Sequence, residues 1–473
     1  MKVFMLGWEF PPHISGGLGT ACFGLTKGLD EIGVDVSFVL PTAVPVAADS
    51  HVTIRTPSSL AGMPRKAPAA VPGAVASEAL PPELVHRFEH VQFHRVKALL
   101  QPYATPRMHE ETIRRLLKLS EEGKLDLPAG LLPPDVLEQL ALVQAQTAQQ
   151  AQAPQGTFVP GVGAQYAGDL MGQVYRYARL AVTLSRMEDF DVVHAHDWMT
   201  YPAALAAKAA SGKPLVVHVH STEFDRSGAN VNQQVYDIER AGMHGADRVV
   251  CVSYLTRSIV VSRYAVPPEK VRVVYNAVEA PNGMPLKPIR HNEKIVLFLG
   301  RVTMQKGPEY FLRAAKKVVE KFDEVRFIMA GSGDMITACI KEVADLGLGR
   351  YVTFTGFLRG RDIDRVFAMA DLYVMPSVSE PFGIAPLEAL SHNVPVIISK
   401  QSGISEVLTH ALKVDFWDID EMANKILAVL RHPPLQKTLR DHGTIELQKF
   451  SWRDSAERLR EIYEEVVPAA AGR

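Results

Sequence analysis

Short apolar, β-branched runs alternate with amphipathic stretches along this chain, and that alternation limits its fold more than any other feature. KVFML, VDVSFVL, DVVHA, PLVVHVH and DRVVCVS form one series, ending near residue 253. KIVLFLG, VRFIMAG, YVTFTG, DLYVMP and VPVIIS form a second. Nearly continuous apolar runs suit a parallel sheet covered on both faces. Helical patterns between them, for example 309–321 and 334–346, complete strand–helix–strand units. Two series predict two doubly wound α/β domains.

The expected boundaries follow from composition. A first Rossmann-like domain spans 1–275 and a second 295–450. The polar, Pro- and Gly-bearing stretch NAVEAPNGMPLKPIRHNEK, 276–294, joins them. An Ala-, Pro- and Gln-rich segment at about 56–165 reads as an insertion in the first domain, partly helical and partly flexible. Residues 451–473 carry a last amphipathic helix, expected to cross back to the first domain. Ser451 stands at its cap and Asp454 at the capping-box position.

Bulk properties exclude several classes. Hydrophobic residues are 47% and charged residues 22%, which supports a sizeable core without lipid. A net charge of −1 gives no footprint for nucleic acid. Three cysteines, Cys22, Cys251 and Cys339, are an odd, sparse set that makes no disulfide framework and suits a reducing compartment. The start, MKVFMLGWEF, is too short in its apolar run for a signal peptide and reads as a first strand. No apolar run reaches membrane-span length. A cytoplasmic protein is expected; peripheral membrane contact stays open, and nothing indicates an oligomeric state.

Three loops point to an anionic ligand. In PPHISGGLGTACFGL, Gly16, Gly17 and Gly19 leave backbone N–H groups open to an anion at a helix start, without the spacing of a dinucleotide fingerprint. In FLGRVTMQKGPEY, Arg301 and Lys306 lie just past a strand, where ligands of open α/β sheets bind. Arginine offers bidentate contact to a diphosphate and lysine a point charge. In SEPFGIAPLEAL, Gly383 and Ile384 begin a helix, with Glu380 before it and Glu388 inside it. The two acids can accept from hydroxyls of a sugar and of a ribose, on either side of a phosphate held by the helix N-terminus.

The stretches VVHAHDWMT and PLVVHVHSTEFDRSG place His194 with His196, and His218 with His220, on the same side of two strands. Three readings stand: a metal site of four imidazoles plus Asp197, a polar acceptor floor with one reacting histidine, or core histidines at His194 and His218 with satisfied partners. The metal reading lacks an H-E-x-x-H or comparable third-ligand motif. The D-x-D triplets Asp189/Asp191, Asp362/Asp364 and Asp418/Asp420 fall at strand or helix starts, where Asp is common.

The GGLG loop at 16–19, HAHDW at 194–198, VHSTE at 219–223, the Arg301/Lys306 pair and the E-x7-E pair occur in an order that resembles the retaining GT-B glycosyltransferases. The similar group is that of glycogen synthases, sucrose-phosphate synthases and bacterial family-4-like enzymes. The resemblance runs through nearly the whole chain outside 56–165. It implies two Rossmann-like domains facing across a cleft and hexosyl transfer, with glucose as the sugar, from a nucleotide-diphosphate sugar to a glycan acceptor. It implies no cofactor and no metal. It would place Arg301 and Lys306 on the donor diphosphate, with Gly16 and Gly17 approaching from the other domain. Phe382, Gly383 and Ile384 would contact phosphate and sugar through their backbone. Glu388 would bind the ribose, Glu380 the transferred sugar, and Leu358 would lie beside the base. His220 would sit by the anomeric carbon with the acid Asp197 beside it. Starch and bacterial glycogen synthases carry K-T-G-G-L; here Ile14 and Ser15 precede the glycines, which weakens the case for ADP-glucose. A lipid or small-molecule acceptor, or nucleotide-sugar 2-epimerisation, is the alternative.

Overall fold

The computed structural model describes residues 1–11, 16–41, 91–95, 170–279 and 292–468. Ile14, Ser15, most of the 56–165 stretch and the middle of the 276–294 segment lie outside the described residues.

The first lobe runs β1 (Lys2–Leu6), α1 (Gly17–Glu31), β2 (Asp35–Leu40), β3 (Val91–Arg95), α2 (Leu170–Ser185), β4 (Val192–His196), α3 (Tyr201–Ser211) and β5 (Leu215–Val219). It continues with a short turn of helix, α4 (Glu223–Ser227), then α5 (Gln233–Gly245), β6 (Arg248–Cys251), α6 (Tyr254–Tyr264) and β7 (Val271–Val273). Its seven strands lie in the order β3-β2-β1-β4-β5-β6-β7, with every pair parallel. All five residues of β4 and of β5 are buried, which explains their unbroken apolar runs. The strand Val91–Arg95 pairs with β2, so 56–165 is not one continuous insertion: a piece of the first sheet lies inside it.

The second lobe runs β8 (Lys294–Leu299), α7 (Pro308–Val319), β9 (Val325–Ala330), α8 (Ile336–Asp345), β10 (Val352–Gly356), α9 (Arg361–Met369) and β11 (Leu372–Met375). Then follow α10 (Ile384–Ser391), β12 (Val396–Ser399), β13 (Leu412–Val414), α11 (Ile419–Arg431) and α12 (Pro433–Leu447). The sheet order is β10-β9-β8-β11-β12-β13, again parallel throughout. Phe311 on α7 and Val429 on α11 are fully buried in one core with Phe327, Val374 and Ile397 of the sheet.

The last helix, α13 (Trp452–Val466), is capped by Ser451, whose side chain accepts from the backbone N–H of Arg453 at 3.2 Å and of Asp454 at 3.4 Å. It packs against α1 of the first lobe. Two glycines make the approach possible. A Cβ on Gly24 would collide with the Trp452 indole, and one on Gly28 with the Trp452 carbonyl. Further along, the Tyr463 hydroxyl meets His194 Nδ1 at 2.5 Å. No helix among the described residues is long and apolar enough to cross a membrane.

Candidate active site

In sheets of this order the crossovers change face beside the first strand, and the crevice opens at the carboxyl ends of β1 and β4 in one lobe, β8 and β11 in the other. Asp197 follows β4 and Arg301 follows β8 at those ends, while His220 follows the neighbouring β5 and Leu358 the edge strand β10. Gly16 caps α1 with extended backbone. Among the described residues, nothing lies within 4 Å of where a Cβ on Gly17 would sit, so an anion can approach the first N–H groups of α1.

The four histidines form one stack. His194 and His196 have ring centroids 4.4 Å apart, and His218 and His220 4.3 Å. Across the strands, His196 and His218 lie 5.4 Å apart, and His196 Nδ1 meets His220 Nε2 at 2.9 Å. Burial pushes His220 down to about 3, and pushes the other three well below the ordinary imidazole range, with help from neighbouring rings. The stack is therefore neutral at physiological pH. His194 has a partner in Tyr463, but neither ring nitrogen of His218 has a hydrogen-bond partner among the described residues.

Asp197 occupies a strained backbone position, with φ 59° and ψ 169°. Its carboxylate accepts from the backbone N–H of His220 at 2.7 Å and of Ser221 at 3.3 Å. Its contact is thus to the His220 backbone rather than to the ring. Burial pushes it up to about 7, against Arg226 and these N–H groups.

A charged network supports the same turn, and the sequence reading missed it. Asp225 closes a capping box, accepting from Thr222 N and Oγ1 at 2.7 Å each. Arg226 pairs with Glu223 at 3.1 Å and Glu239 at 2.5 Å, and donates to the Ser221 carbonyl at 3.3 Å. The Tyr264 hydroxyl donates to Glu239. The T-x-x-D spacing in STEFDRSG signalled the cap; Glu239 and Tyr264 gave no local signal.

In the second lobe, Lys306 ends a 3-10 turn closed by Gly307 at φ 62°, where a Cβ would collide with the Pro376 carbonyl. Lys306 Nζ pairs with Glu380 Oε2 at 2.5 Å, and Ser377 donates to the same oxygen at 3.1 Å. Buried Glu380 is fixed further by backbone bonds between Glu380–Phe382 and Gln401–Ile404. Half-buried Arg301 donates to Gln305 at 3.3 Å. Gly383 caps α10 with φ 106°, and Phe382 is buried beside Tyr275, with ring centroids 5.9 Å apart. Loss of water around Glu388, on α10, pushes its carboxyl up to about 7; His392 pulls it down and Asp364 pushes it up. Leu358 follows edge strand β10 and is half-buried.

The two lobes meet at these turns. Ser379, next to Glu380, donates to Asp225 Oδ1 at 2.6 Å. Glu406 accepts from the first two N–H groups of α6, Tyr254 at 2.9 Å and Leu255 at 2.6 Å. The arrangement thus brings Lys306 to Glu380 and Asp197 to His220, and ties the two pairs through Asp225 and Ser379. One acid of each D-x-D triplet has another partner: Asp191 accepts from Lys2 N, Asp364 faces His392, and Asp418 caps α11.

Comparison with known proteins agrees with this geometry. Residues 284–445 match the model "Glycosyl transferases group 1", 145–280 "Glycosyltransferase Family 4" and 2–139 "Starch synthase catalytic domain". An uncharacterised glycosyltransferase of Methanocaldococcus jannaschii is 30% identical over 297 residues, covering 59% of this chain and 76% of that protein. The α-maltose-1-phosphate synthase of Mycolicibacterium smegmatis is 27% identical over 320 residues, covering 60% and 81%. Among solved structures, sucrose-phosphate synthase from Thermosynechococcus elongatus superposes with a TM-score of 0.65 at 16% identity, over 98% of each chain. Anabaena HepE in complex with UDP and glucose superposes with a TM-score of 0.62 at 16% identity, over 98% of this chain and 100% of that one. The chain therefore belongs to the glycosyltransferases and has the GT-B fold.

Proposed function

We propose that the protein moves a glucosyl unit from a nucleoside-diphosphate sugar to a glycan acceptor, with retained configuration and without a metal. The observation that carries this is the Asp225–Ser379 bond, which sets the His220 turn against the Lys306–Glu380 pair. Arg301, Lys306 and the N-terminus of α10 offer cations and backbone N–H groups to a diphosphate, and Gly16 and Gly17 let it approach from the first lobe. Glu388 accepts from the ribose, Glu380 from the sugar, and Leu358 lies beside the base. HepE is described with UDP and glucose, which supports the donor class.

In the reaction the bond from the anomeric carbon to the diphosphate breaks on the face where the acceptor oxygen bonds. The acceptor proton passes to the leaving phosphate oxygen. Charge building on that diphosphate is stabilised by Arg301, Lys306 and the helix N-terminus, each such donor contributing ~3–4 kcal/mol at the transition state. A relative named α-maltose-1-phosphate synthase makes a phosphorylated small-molecule acceptor the second reading.

Discontinuous assays with UDP-, ADP- and GDP-glucose and an α-glucan primer test the proposal. Lys306→Ala and Arg301→Ala should each lower kcat/KM for the donor by roughly a hundred- to a thousandfold, the worth of one such donor at the transition state, while the fold survives. Wild-type kinetics in both variants would remove the diphosphate from this site. Transfer should continue at an undiminished rate in excess EDTA. A complete loss there, restored by one added metal, would overturn the metal-free mechanism.

A further inference from the structure

Cys22 lies in the second turn of α1, buried against the histidine stack. Its Sγ, one ring nitrogen of His196 and one of His220 lie within 4.8 Å of one another. Nε2 of His196 and Nδ1 of His220 are buried and have no hydrogen-bond partner among the described residues. Buried polar atoms are nearly always partnered, so such a pair asks for an explanation. Neutral imidazoles and a thiol are the donor set for zinc and similar ions. Metal–nitrogen and metal–sulfur bonds of about 2.0 and 2.3 Å bring donors somewhat closer than this, within reach of small side-chain rotations. The local field also suits a cation. Burial pushes the Cys22 thiol up, and the Asp197 and Glu9 carboxylates add to the effect. The same carboxylates attract a divalent ion, which displaces the thiol proton when it binds. His194, His196 and His218 form a second trio of similar spacing, but all three are buried; His220 is only half-buried and is the member of the first trio nearest to solvent.

We propose that Cys22, His196 and His220 form an inhibitory binding site for zinc-class divalent ions. Occupancy would tie down the His220 ring. The inhibition rests on the placement of His220 under Proposed function; the binding site does not.

Cobalt titration of the metal-free, full-length protein tests the site directly. One equivalent should bind with a thiolate-to-cobalt band in the near ultraviolet, be displaced by zinc, and lose that band in Cys22→Ser. Zinc should lower transfer by wild type, EDTA should restore it, and Cys22→Ser should transfer normally while needing at least about tenfold more zinc for inhibition. Cys22→Ala provides the same readouts if the serine variant folds poorly. Cobalt binding without a thiolate band, or an unchanged band in both variants, overturns the site. A thiolate band in a protein that transfers no sugar from any donor upholds the site and sinks the transfer reading instead.

Discussion

Replacing His220 with alanine should lower kcat for sugar transfer by roughly a hundredfold or more, while Kd for the free nucleoside diphosphate stays nearly unchanged. The side chain can be removed without moving the turn, because Asp197 holds the backbone N–H of His220 and Ser221, not the ring. The groups assigned to base, ribose and diphosphate are mostly in the other lobe, so nucleotide affinity should survive. Burial keeps the ring neutral above about 3, so its work is hydrogen bonding to a sugar hydroxyl, not proton release near neutrality. Any inflection of the rate near pH 7 should accordingly belong to Asp197 or Glu388, which burial pushes up to about 7, and should persist in the residual activity of His220→Ala. His218→Ala, one pleat further in and 1% exposed, should act on stability instead. Near wild-type transfer by His220→Ala would place the reacting centre elsewhere.

Arg226→Ala should destabilise the protein by about 3–5 kcal/mol, the cost of leaving buried carboxylates without their cation. Arg226 is 10% exposed and its partners Glu223 and Glu239 are 0% and 2% exposed. Burial pushes the Glu239 carboxyl up, and Arg226 is the strongest opposing influence. The same guanidinium donates to the Ser221 carbonyl, so the His220 turn should loosen as well. Urea denaturation and a transfer assay at low temperature separate the two effects. An unchanged midpoint would show that the network contributes little. Arg226→Lys keeps the charge but not the fork, and should recover part of the stability only.

Much of the fold was legible because its signals are local. Buried parallel strands write themselves as continuous apolar runs, and every run singled out in the sequence is a strand. Strands β7 and β13 have three residues each, too few to show a pattern, and β3 lies within a stretch whose composition hides it. The positions of the candidate residues at strand ends were legible for the same reason, since strand, glycine and charge fall within one short window; their roles remain proposals. What was not legible depends on packing between distant segments. Cys22 reaches His196 and His220 only through the tertiary fold, which brings a turn of α1 beside the ends of two strands far from it in sequence. Arg226 reaches Glu239 across a loop, and Ser379 reaches Asp225 across 154 residues. His218 looked like an ordinary core residue because sequence does not show which buried nitrogens find partners.

The docking of α13 on α1 has a consequence for synthesis. The first lobe is encoded first, yet Trp452 and Tyr463, which cover Gly24 and reach His194, arrive after the entire second lobe. At ~5–20 residues per second, ribosomes leave that face of α1 uncovered for on the order of ten to forty seconds. The nascent first lobe must wait with an apolar groove and a polar histidine exposed. Emergence of α13, rather than completion of either sheet, is the event that covers this face of the first lobe.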